Sequence, residues 1–464
     1  MEKRGKPGVA VVTDTFLSDA LSSAQDNEMP NLRLVAVPAK NYYTARSQEP
    51  EMKAVAAKAF DAIVTALIKP LTEEETKTGP AVAQKVEKTV TFSGRNYREA
   101  ADAVNTGFVA RRWADGLPII PPTEEAVKWM LTGTSRLPDE VIGVPVVPKG
   151  GKCNIEKIAI NAVMAGAKPE YLPVIIAAME VLTDKNYFLL HLQTSAGCIS
   201  PAIWVNGPIS TELGMNSGLG YLGHGNPVNT TIGRAVRLTL INTGHTWPGE
   251  NDMCLLGRQD VFGSTTFAEN EKDSPWKPYH VDLGFKPEDS TVTVMSTMHH
   301  HRGPGGPVTP ANPNESLVAL AKTMEIVRFP SMWVTSKPEF LIAMDPAFAQ
   351  QLAKVGMSKE DVKWWLFLQA RVPYKNLIEK EKESLKEMIK KKQVPSYLWL
   401  ETGYMGQGPG ELPRVWRPED IRIVVVGGMP GYTYVWNYGE ATEPDRMGQG
   451  TKRIRGATLT KAGR

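Results

Sequence analysis

The order of apolar and polar positions in the first 70 residues predicts two short strands and two helices. Residues 8–13 and 34–38 are continuous apolar runs, the pattern of parallel strands that are covered on both faces. Residues 16–27 and 51–71 follow these runs, and in the second segment apolar side chains recur every three or four positions. We therefore expect a small parallel α/β unit at residues 1–72, which is thin enough that it should dock on another surface.

A larger body follows at residues 96–445, after a charged and Thr-rich linker at residues 73–95. Thr123 precedes two glutamates and is expected to cap a helix, and Pro169 stands in the expected first turn of another. Periodicity predicts helices at residues 97–115, 154–165, 169–182, 228–241, 346–355, 358–371 and 376–392. Short apolar runs predict strands at residues 187–192, 202–205, 290–295, 340–344 and 421–426. The basic tail at residues 446–464 is expected to be loosely ordered or to lie on a partner.

Helices alternate with strands along the chain, so the predicted fold class is α/β, with a small N-terminal parallel unit and a larger body of several lobes. The 40 glycines and 35 prolines make up about 16% of the chain, above the roughly 12% of average usage. Their densest runs lie at residues 214–227 and 303–313, which predicts long irregular loops there. These loops place the predicted site region at residues 187–307.

Charge and apolar content exclude several classes of protein. With 53 basic and 50 acidic side chains, the net charge of +3 argues against a protein that binds nucleic acid through bulk electrostatics. The longest apolar stretch, residues 172–182, contains Glu180 and is much shorter than the roughly 20 residues of a membrane span. Three cysteines do not make a disulfide framework, which favours a reducing compartment. We expect a cytoplasmic protein with no nucleic-acid or membrane partner.

All seven histidines lie between His191 and His301, and this clustering predicts chemistry in that segment. The run MHHHRGPGG at residues 298–306 follows an apolar strand, and if the extended chain continues, His299 and His301 share one face. Imidazoles at that spacing, with further imidazole and carboxylate groups nearby, predict a divalent metal site, although a polar loop is the alternative. The candidate ligands are His280, His299, His301 and Glu269.

The Gly-rich segment at residues 214–234 contains the pattern G-x-G-x-x-G at Gly218, Gly220 and Gly223. A dinucleotide site needs those glycines directly after a strand, whereas here a long stretch separates them from the strand before, so no nucleotide cofactor is expected. Free N–H groups at the start of the following helix favour an anion site, and a turn that only lets backbones pack closely is the alternative. The candidate substrate-binding residues are Asn226, Asn229, Thr230, Thr231, Arg234 and Arg302.

Cys198 lies in the small-residue turn QTSAGCISP at residues 193–201, which can present a thiolate beside backbone donors. Many cysteines are only small buried apolar residues, and this is the role expected for Cys153 and Cys254. Histidine and glutamate side chains near the Gly-rich helix are candidate acids and bases, with a structural role as the alternative. The catalytic candidates are Cys198, His224, His245 and Glu271.

Several segments carry a resemblance to a known family. They are VVTDTF at residues 11–16, WADGLPIIPPT at 113–123, EKIAINAVMAGAKPEYLP at 156–173, FAENE at 267–271 and SKEDV at 358–362. The chain resembles, over most of residues 105–430, a widespread bacterial family associated with UGSC-motif (selenocysteine or cysteine) proteins. The resemblance implies a loose similarity to the selenoprotein B component of glycine- and proline-type reductases, and with it thiol or selenol redox chemistry on a small substrate.

The chain departs from that family because it contains neither a UGSC nor a CGSC tetrapeptide, and no cysteine precedes Cys153. A redox residue, if the reaction needs one, would then come from a partner subunit; the alternative is that there is none. Our leading hypothesis is an enzyme, or the active-site subunit of an enzyme complex, that cleaves a bond in a small polar or anionic molecule with the help of a metal, as a lyase or hydrolase. The alternatives are a subunit of a thiol- or selenol-dependent reductase and a non-catalytic partner of a homologous catalytic chain. We expect a homo- or hetero-oligomer with a related chain.

Overall fold

A computed structural model describes most of the chain. The described residues are 6–26, 29–38, 49–77, 89–254, 256–258, 265–305, 313–326, 338–377, 379–392, 411–429, 431–438 and 448–458. The elements of the N-terminal unit are β1 (Ala10–Thr13), α1 (Leu17–Asp26), β2 (Leu34–Val37), α2 (Glu49–Ile68) and α3 (Glu73–Thr76). β1 and β2 pair in parallel, which confirms the prediction for these two strands.

Helix α3 lies at the start of the segment that the sequence predicts as a linker. Thr72 caps this helix in a capping box with Glu75. The Glu75 carboxylate also accepts two hydrogen bonds of 2.7 Å from the Arg33 guanidinium, next to β2. This pair ties the start of the predicted linker to the N-terminal unit, and residues 78–88 lie outside the described residues.

Buried helices form the core of the larger body. The next helices in chain order are α4 (Tyr97–Ala110), α5 (Glu124–Leu131), α6 (Ile155–Ala165), α7 (Leu172–Leu182) and α8 (Leu189–Thr194). The side chains of Thr123 and Asn154 cap α5 and α6, and a 3₁₀ turn at Pro169–Tyr171 leads into α7, so these predicted helices are confirmed. α6 and α7 are buried on nearly all sides because almost every position is apolar. None of the described helices is long and apolar enough to cross a bilayer.

The prediction of a strand at residues 187–192 is wrong, because most of this segment belongs to α8. Leu189, Leu192 and Gln193 are the buried positions of that helix, a spacing that places them on one helical face. A short apolar run fits a buried strand or a buried helix equally well, so the sequence alone does not distinguish them.

The first lobe is built around a sheet in which β3 is central. Its elements are β3 (Ser200–Asn206), α9 (Pro208–Glu212), α10 (Pro227–Gly244), β4 (Thr265–Ala268), α11 (Tyr279–Asp282) and β5 (Thr291–Thr297). β3 runs parallel to β4 on one side and antiparallel to β5 on the other. α7 packs on β5, and α10 packs on α6 and α7. The structure confirms the predicted helix α10 and the strands β3 and β5, whereas β4 was not predicted.

The second lobe repeats the same strand arrangement. Its elements are β6 (His299–Gly305), α12 (Pro313–Ile326), β7 (Glu339–Met344), α13 (Pro346–Lys354), α14 (Lys359–Gln369), β8 (Arg371–Pro373), α15 (Glu379–Lys390), β9 (Glu411–Pro413), β10 (Ile421–Val425) and β11 (Tyr432–Tyr438). β7 runs parallel to β10 on one side and antiparallel to β11 on the other. Helices alternate with partly parallel sheets in both lobes, which confirms the α/β class.

The two lobes exchange their remaining strands. β5 continues through Met298 into β6, and β6 pairs with β11 of the second lobe. In return β12 (Gln449–Arg453) follows β11 in the chain and pairs with β5 of the first lobe. The edge strand of each sheet therefore directly neighbours, in sequence, a strand of the other sheet.

Strand β12 corrects the prediction of a loose basic tail at residues 446–464. Its backbone pairs with β5 over five residues. Lys452 and Arg453 form ion pairs of 2.6 and 2.5 Å with Asp184 and Asp289. The basic composition suggested a solvated segment, but backbone pairing places Gln449–Arg453 in the first sheet.

Candidate functional site

Polar side chains meet at the carboxyl ends of β3 and β4, which are adjacent because the two strands are parallel. β3 ends at Asn206, and Glu269 directly follows β4. The side-chain amide of Asn206 donates to the Glu269 carboxylate at 2.6 Å and to the Glu271 carboxylate at 2.9 Å. The carboxyl edge is the usual place for a ligand in α/β sheets, so this group is the candidate site.

Glu271 is the accessible carboxylate of the candidate site. Its Oε1 accepts the backbone N–H of Gly207 at 2.8 Å, and 27% of its side chain is exposed. The imidazole of His280 is fully buried and places Nδ1 3.8 Å from the same oxygen. Two N–H donors thus hold a carboxylate between solvent and a buried imidazole whose Nδ1 lies just beyond direct hydrogen-bond distance of it.

Several buried polar atoms at this edge have no hydrogen-bond partner among the described residues. They are both ring nitrogens of His280, the side-chain oxygen of Asn206 and the hydroxyl of Thr291. Thr291 is the β5 residue opposite Asn206, so these atoms lie at the same end of the sheet. Buried polar groups normally have partners, and a cluster without them indicates a place that water or a ligand completes.

Glu269 lies behind this cluster and is almost completely buried. Its Oε2 accepts the backbone N–H of Tyr279 at 2.7 Å. Burial is the largest effect on its pKa and raises it above the usual value, while the charge of Lys359 and the hydrogen bonds oppose this shift. The neighbouring Asn270 N–H donates to the Val425 carbonyl at 2.7 Å, so the candidate site borders β10 of the second lobe.

Replacing Glu269 by glutamine is expected to flatten the dependence of stability on pH. Because its pKa is raised, the folded protein keeps this proton at pH values where the unfolded chain has released it. The stabilising contribution is therefore fully present below the unfolded pKa of about 4.3 and is lost as the pH rises through the folded pKa. Urea unfolding at pH values from about 4 to 7 measures the slope. Glu288→Gln, at an exposed position, is the control, and equal slopes for wild type and Glu269→Gln would contradict the prediction.

Asparagine side chains hold the Gly-rich loop before α10 in its conformation. The Asn226 amide donates to the carbonyl oxygens of Gly220 and Gly223 at 2.8 and 3.0 Å. The Asn229 side chain accepts from the backbone N–H of Asn216 at 3.0 Å and donates to its carbonyl at 2.9 Å. The two asparagines that the sequence predicts as substrate-binding residues are therefore engaged with the loop itself.

A cavity of about 230 Å³ lies beside the N-terminus of α10. Its lining includes the predicted residues His224, Asn229 and Thr230, whereas the hydroxyl of Thr231 donates to the Pro227 carbonyl at 2.7 Å. The complete lining is Tyr221, Leu222, Gly223, His224, Asn229, Thr230 and Thr266. The positive end of the helix dipole at this cavity favours an anionic occupant.

The two arginines that the sequence predicts as anion-binding residues contact other groups. Arg234 forms a bidentate ion pair with Asp115 at 2.8 and 2.9 Å, and the Asp115 side chain is only 2% exposed. Arg302 is exposed and lies over the ring of Tyr432, 4.6 Å from the ring centre. The Arg234 pair fixes α10 to the segment after α4.

The predicted metal ligands are divided along the length of β3. Glu269 and His280 lie near its carboxyl end, whereas the antiparallel β5 runs toward Ser200 before β6 begins at His299. β3 spans seven residues, which is roughly 20 Å. His301 is exposed, and the His299 side chain lies outside the described part. In that part, no group of three or more His, Cys, Asp and Glu side chains is placed to hold a metal ion.

His224 and His245 lie at opposite ends of α10, so they do not form one acid–base pair. His224 is at the cavity, and the 18 residues of α10 separate it from His245 by about 27 Å. His245 ends the helix with a φ of 54°, and its N–H donates to the Ile241 carbonyl at 2.8 Å.

Cys198 and Cys254, which the sequence analysis treats separately, come together near the amino end of β3. Their sulfur atoms are 3.5 Å apart although 56 residues separate them in sequence. No spacing motif marks this pair, so sequence reasoning missed Cys254. Cys153 is buried away from them, and burial raises the pKa of its thiol to about 12.

Sequence reasoning also missed Asn206 and Thr291. The available signal was position, because Asn206 is the first polar side chain after a run of buried apolar residues in β3.

The chain matches no protein-family model and no curated protein.

Proposed function

We propose that the protein is an enzyme, or the active-site subunit of an enzyme complex, that cleaves a bond in a small polar or anionic molecule by acid–base chemistry. The site is the carboxyl edge of β3 and β4. One observation carries the proposal: the buried polar atoms of His280, Asn206 and Thr291 lack partners among the described residues and lie beside the half-buried carboxylate of Glu271.

Glu271 is the catalytic base in this proposal. The N–H groups of Gly207 and Asn206 stabilise its carboxylate, and its partial exposure lets a substrate reach it. His280 is the positioning residue behind it, 3.8 Å away, where a neutral imidazole can accept the proton that Glu271 removes. His280 then returns the proton through Glu271 to the leaving group of the substrate, so both side chains end the cycle as they began; the two side chains close to hydrogen-bond distance for each transfer.

The cavity at α10 supplies the site for the anionic end of the substrate. Thr266 in its lining precedes Glu269 by three residues along β4, which is about 10 Å of extended chain. The helix N-terminus favours negative charge there, and the His224 ring lies in the same lining as a hydrogen-bonding group. A substrate that reaches both groups would therefore carry its anionic end roughly 10 Å from the bond that is cleaved.

The test is turnover of a panel of hydroxy acids, keto acids and amides of increasing chain length, followed by NMR. We expect His280→Ala and Glu271→Gln to lower turnover about a hundredfold or more, because each removes a proton-transfer group. His301→Ala, an exposed histidine on β6, is the control and is expected to retain full activity.

The opposite pattern would overturn the acid–base proposal. Full turnover by His280→Ala would exclude the buried imidazole from the reaction. Loss of turnover in His301→Ala, together with inactivation by a chelator, would favour the metal-assisted reaction instead.

A further inference from the structure

Cys198 and Cys254 form a close thiol pair that the proposed function does not use. Their sulfur atoms are 3.5 Å apart, and the Cys254 thiol donates to the Cys198 sulfur. Cys198 lies in the turn between α8 and β3, and Cys254 lies in the loop after α10. A disulfide bond is about 2.05 Å long, so the sulfurs must approach by only about 1.5 Å to form one.

A buried ion pair fixes the two cysteine segments to each other. Arg258 donates to both carboxylate oxygens of Asp252 at 3.0 and 2.7 Å, and Asp252 accepts the backbone N–H of Cys254 at 3.0 Å. The same guanidinium donates to the carbonyl oxygens on either side of Cys198 at 3.3 and 3.0 Å. One arginine therefore holds both sulfur-bearing segments in place, so the contact between the thiols belongs to an ordered part of the fold.

The two thiols differ in access to solvent. Cys198 is half-buried, whereas Cys254 is 8% exposed. Burial raises the pKa of the Cys254 thiol to about 11, the hydrogen bond to Cys198 acts in the same direction, and the charge of Arg258 opposes them. A small reagent thus reaches Cys198 first, and Cys254 keeps its proton until the second step.

We propose that Cys198 and Cys254 are a redox-active dithiol that exchanges electrons with a small disulfide. Cys198 loses its proton to solvent, and its thiolate attacks one sulfur of the small disulfide, which forms a mixed disulfide and expels one small thiolate. Cys254 then loses its proton and attacks the Cys198 sulfur, which forms the internal disulfide and expels the second thiolate. Two protein thiols are oxidised, and the small disulfide receives two electrons and two protons to give two thiols.

The reaction is reversible, because small thiols in excess reduce the internal disulfide by the same two exchange steps. This activity is separate from the acid–base site, since the dithiol lies at the amino end of β3 and Glu271 lies at the carboxyl end. Its test therefore needs no knowledge of the substrate.

The experiment treats the full, reduced chain with oxidised glutathione. We expect release of two equivalents of glutathione thiol, and peptide mapping by mass spectrometry should find Cys198 joined to Cys254 with no glutathione retained. Cys254→Ser is expected to stop at a mixed disulfide on Cys198. Cys198→Ser is expected to react with oxidised glutathione more slowly than the wild type by a factor of about ten or greater, because only the buried thiol remains.

Cys153→Ser is the matched control and is expected to react as the wild type does, since Cys153 is buried elsewhere in the core. Circular dichroism establishes that each variant is folded. The proposal is overturned if the folded wild type retains glutathione on Cys198 without an internal disulfide, or if neither thiol reacts before the protein unfolds.

Discussion

Replacing Arg258 by methionine is expected to lower the free energy of unfolding by about 3–5 kcal/mol. The guanidinium is 2% exposed and forms the buried ion pair with Asp252, so the substitution leaves that carboxylate without its cation. It also removes the guanidinium donor from four buried or partly buried carbonyl oxygens. These oxygens belong to Gln193, Ser195, Gly197 and Ile199. Urea unfolding of the wild type and the variant measures the loss.

A second variant separates the lost charge from lost packing. Arg258→Met combined with Asp252→Asn is expected to lose less stability than Arg258→Met alone, because no uncompensated charge stays buried. Lys286→Met is the surface control, since that side chain is 75% exposed and its partner Glu288 is 4.0 Å away. An Arg258→Met protein as stable as the wild type would contradict the prediction.

Replacing Gly207 by alanine is expected to destabilise the protein by about 2–4 kcal/mol and to displace Glu271. Gly207 has φ 84° and ψ −175°, a conformation that is essentially restricted to glycine. An added Cβ would lie 2.2 Å from the carbonyl oxygen of Asp289, so the backbone must also shift. Because the Gly207 N–H donates to Glu271, this shift also reaches the candidate site. Urea unfolding and turnover of the substrate panel report the two effects.

Gly225→Ala is the matched control for this substitution. Gly225 has φ 85°, and an added Cβ there meets no described atom within 4 Å. It should therefore cost only the backbone strain, about 1–2 kcal/mol. Equal losses in the two variants would show that the contact with Asp289 contributes nothing.

Local signals predicted most of the longer helices, although α8 was predicted as a strand and α12 was not predicted. Thr123 and Ser358 stand immediately before their helices and cap them through their side chains, as the sequence indicates. Continuous apolar runs identified β3, β7 and β10, which are buried on both faces. These signals lie within a few residues of the element that they specify, so one sequence is enough to read them.

Strands with polar or glycine-rich sequences were missed. β6 reads HHHRGPG and β12 reads QGTKR, and neither has an apolar face. β6 is extended because it pairs with β11, and β12 is extended because it pairs with β5. In both pairs the partner strand is distant in sequence. No local pattern carries that information.

The candidate site was predicted only in part. Glu269, Glu271 and His280 were each named from the sequence, and the structure places them together. Asn206 joins them because β3 and β4 are parallel neighbours. Since β4 was not predicted, this contact could not be predicted either. Cys254 was missed because its contact with Cys198 depends on how two loops pack.

The exchange of β6 and β12 has a consequence for the order of events during translation. β3, β4 and β5 are synthesised well before β12, whose last residue is Arg453. The sheet that carries the carboxylate cluster at one end and the cysteine pair at the other therefore gains its final strand late. A nascent chain released before that point holds every residue of both sites but exposes an unpaired edge on β5, which other chains can join.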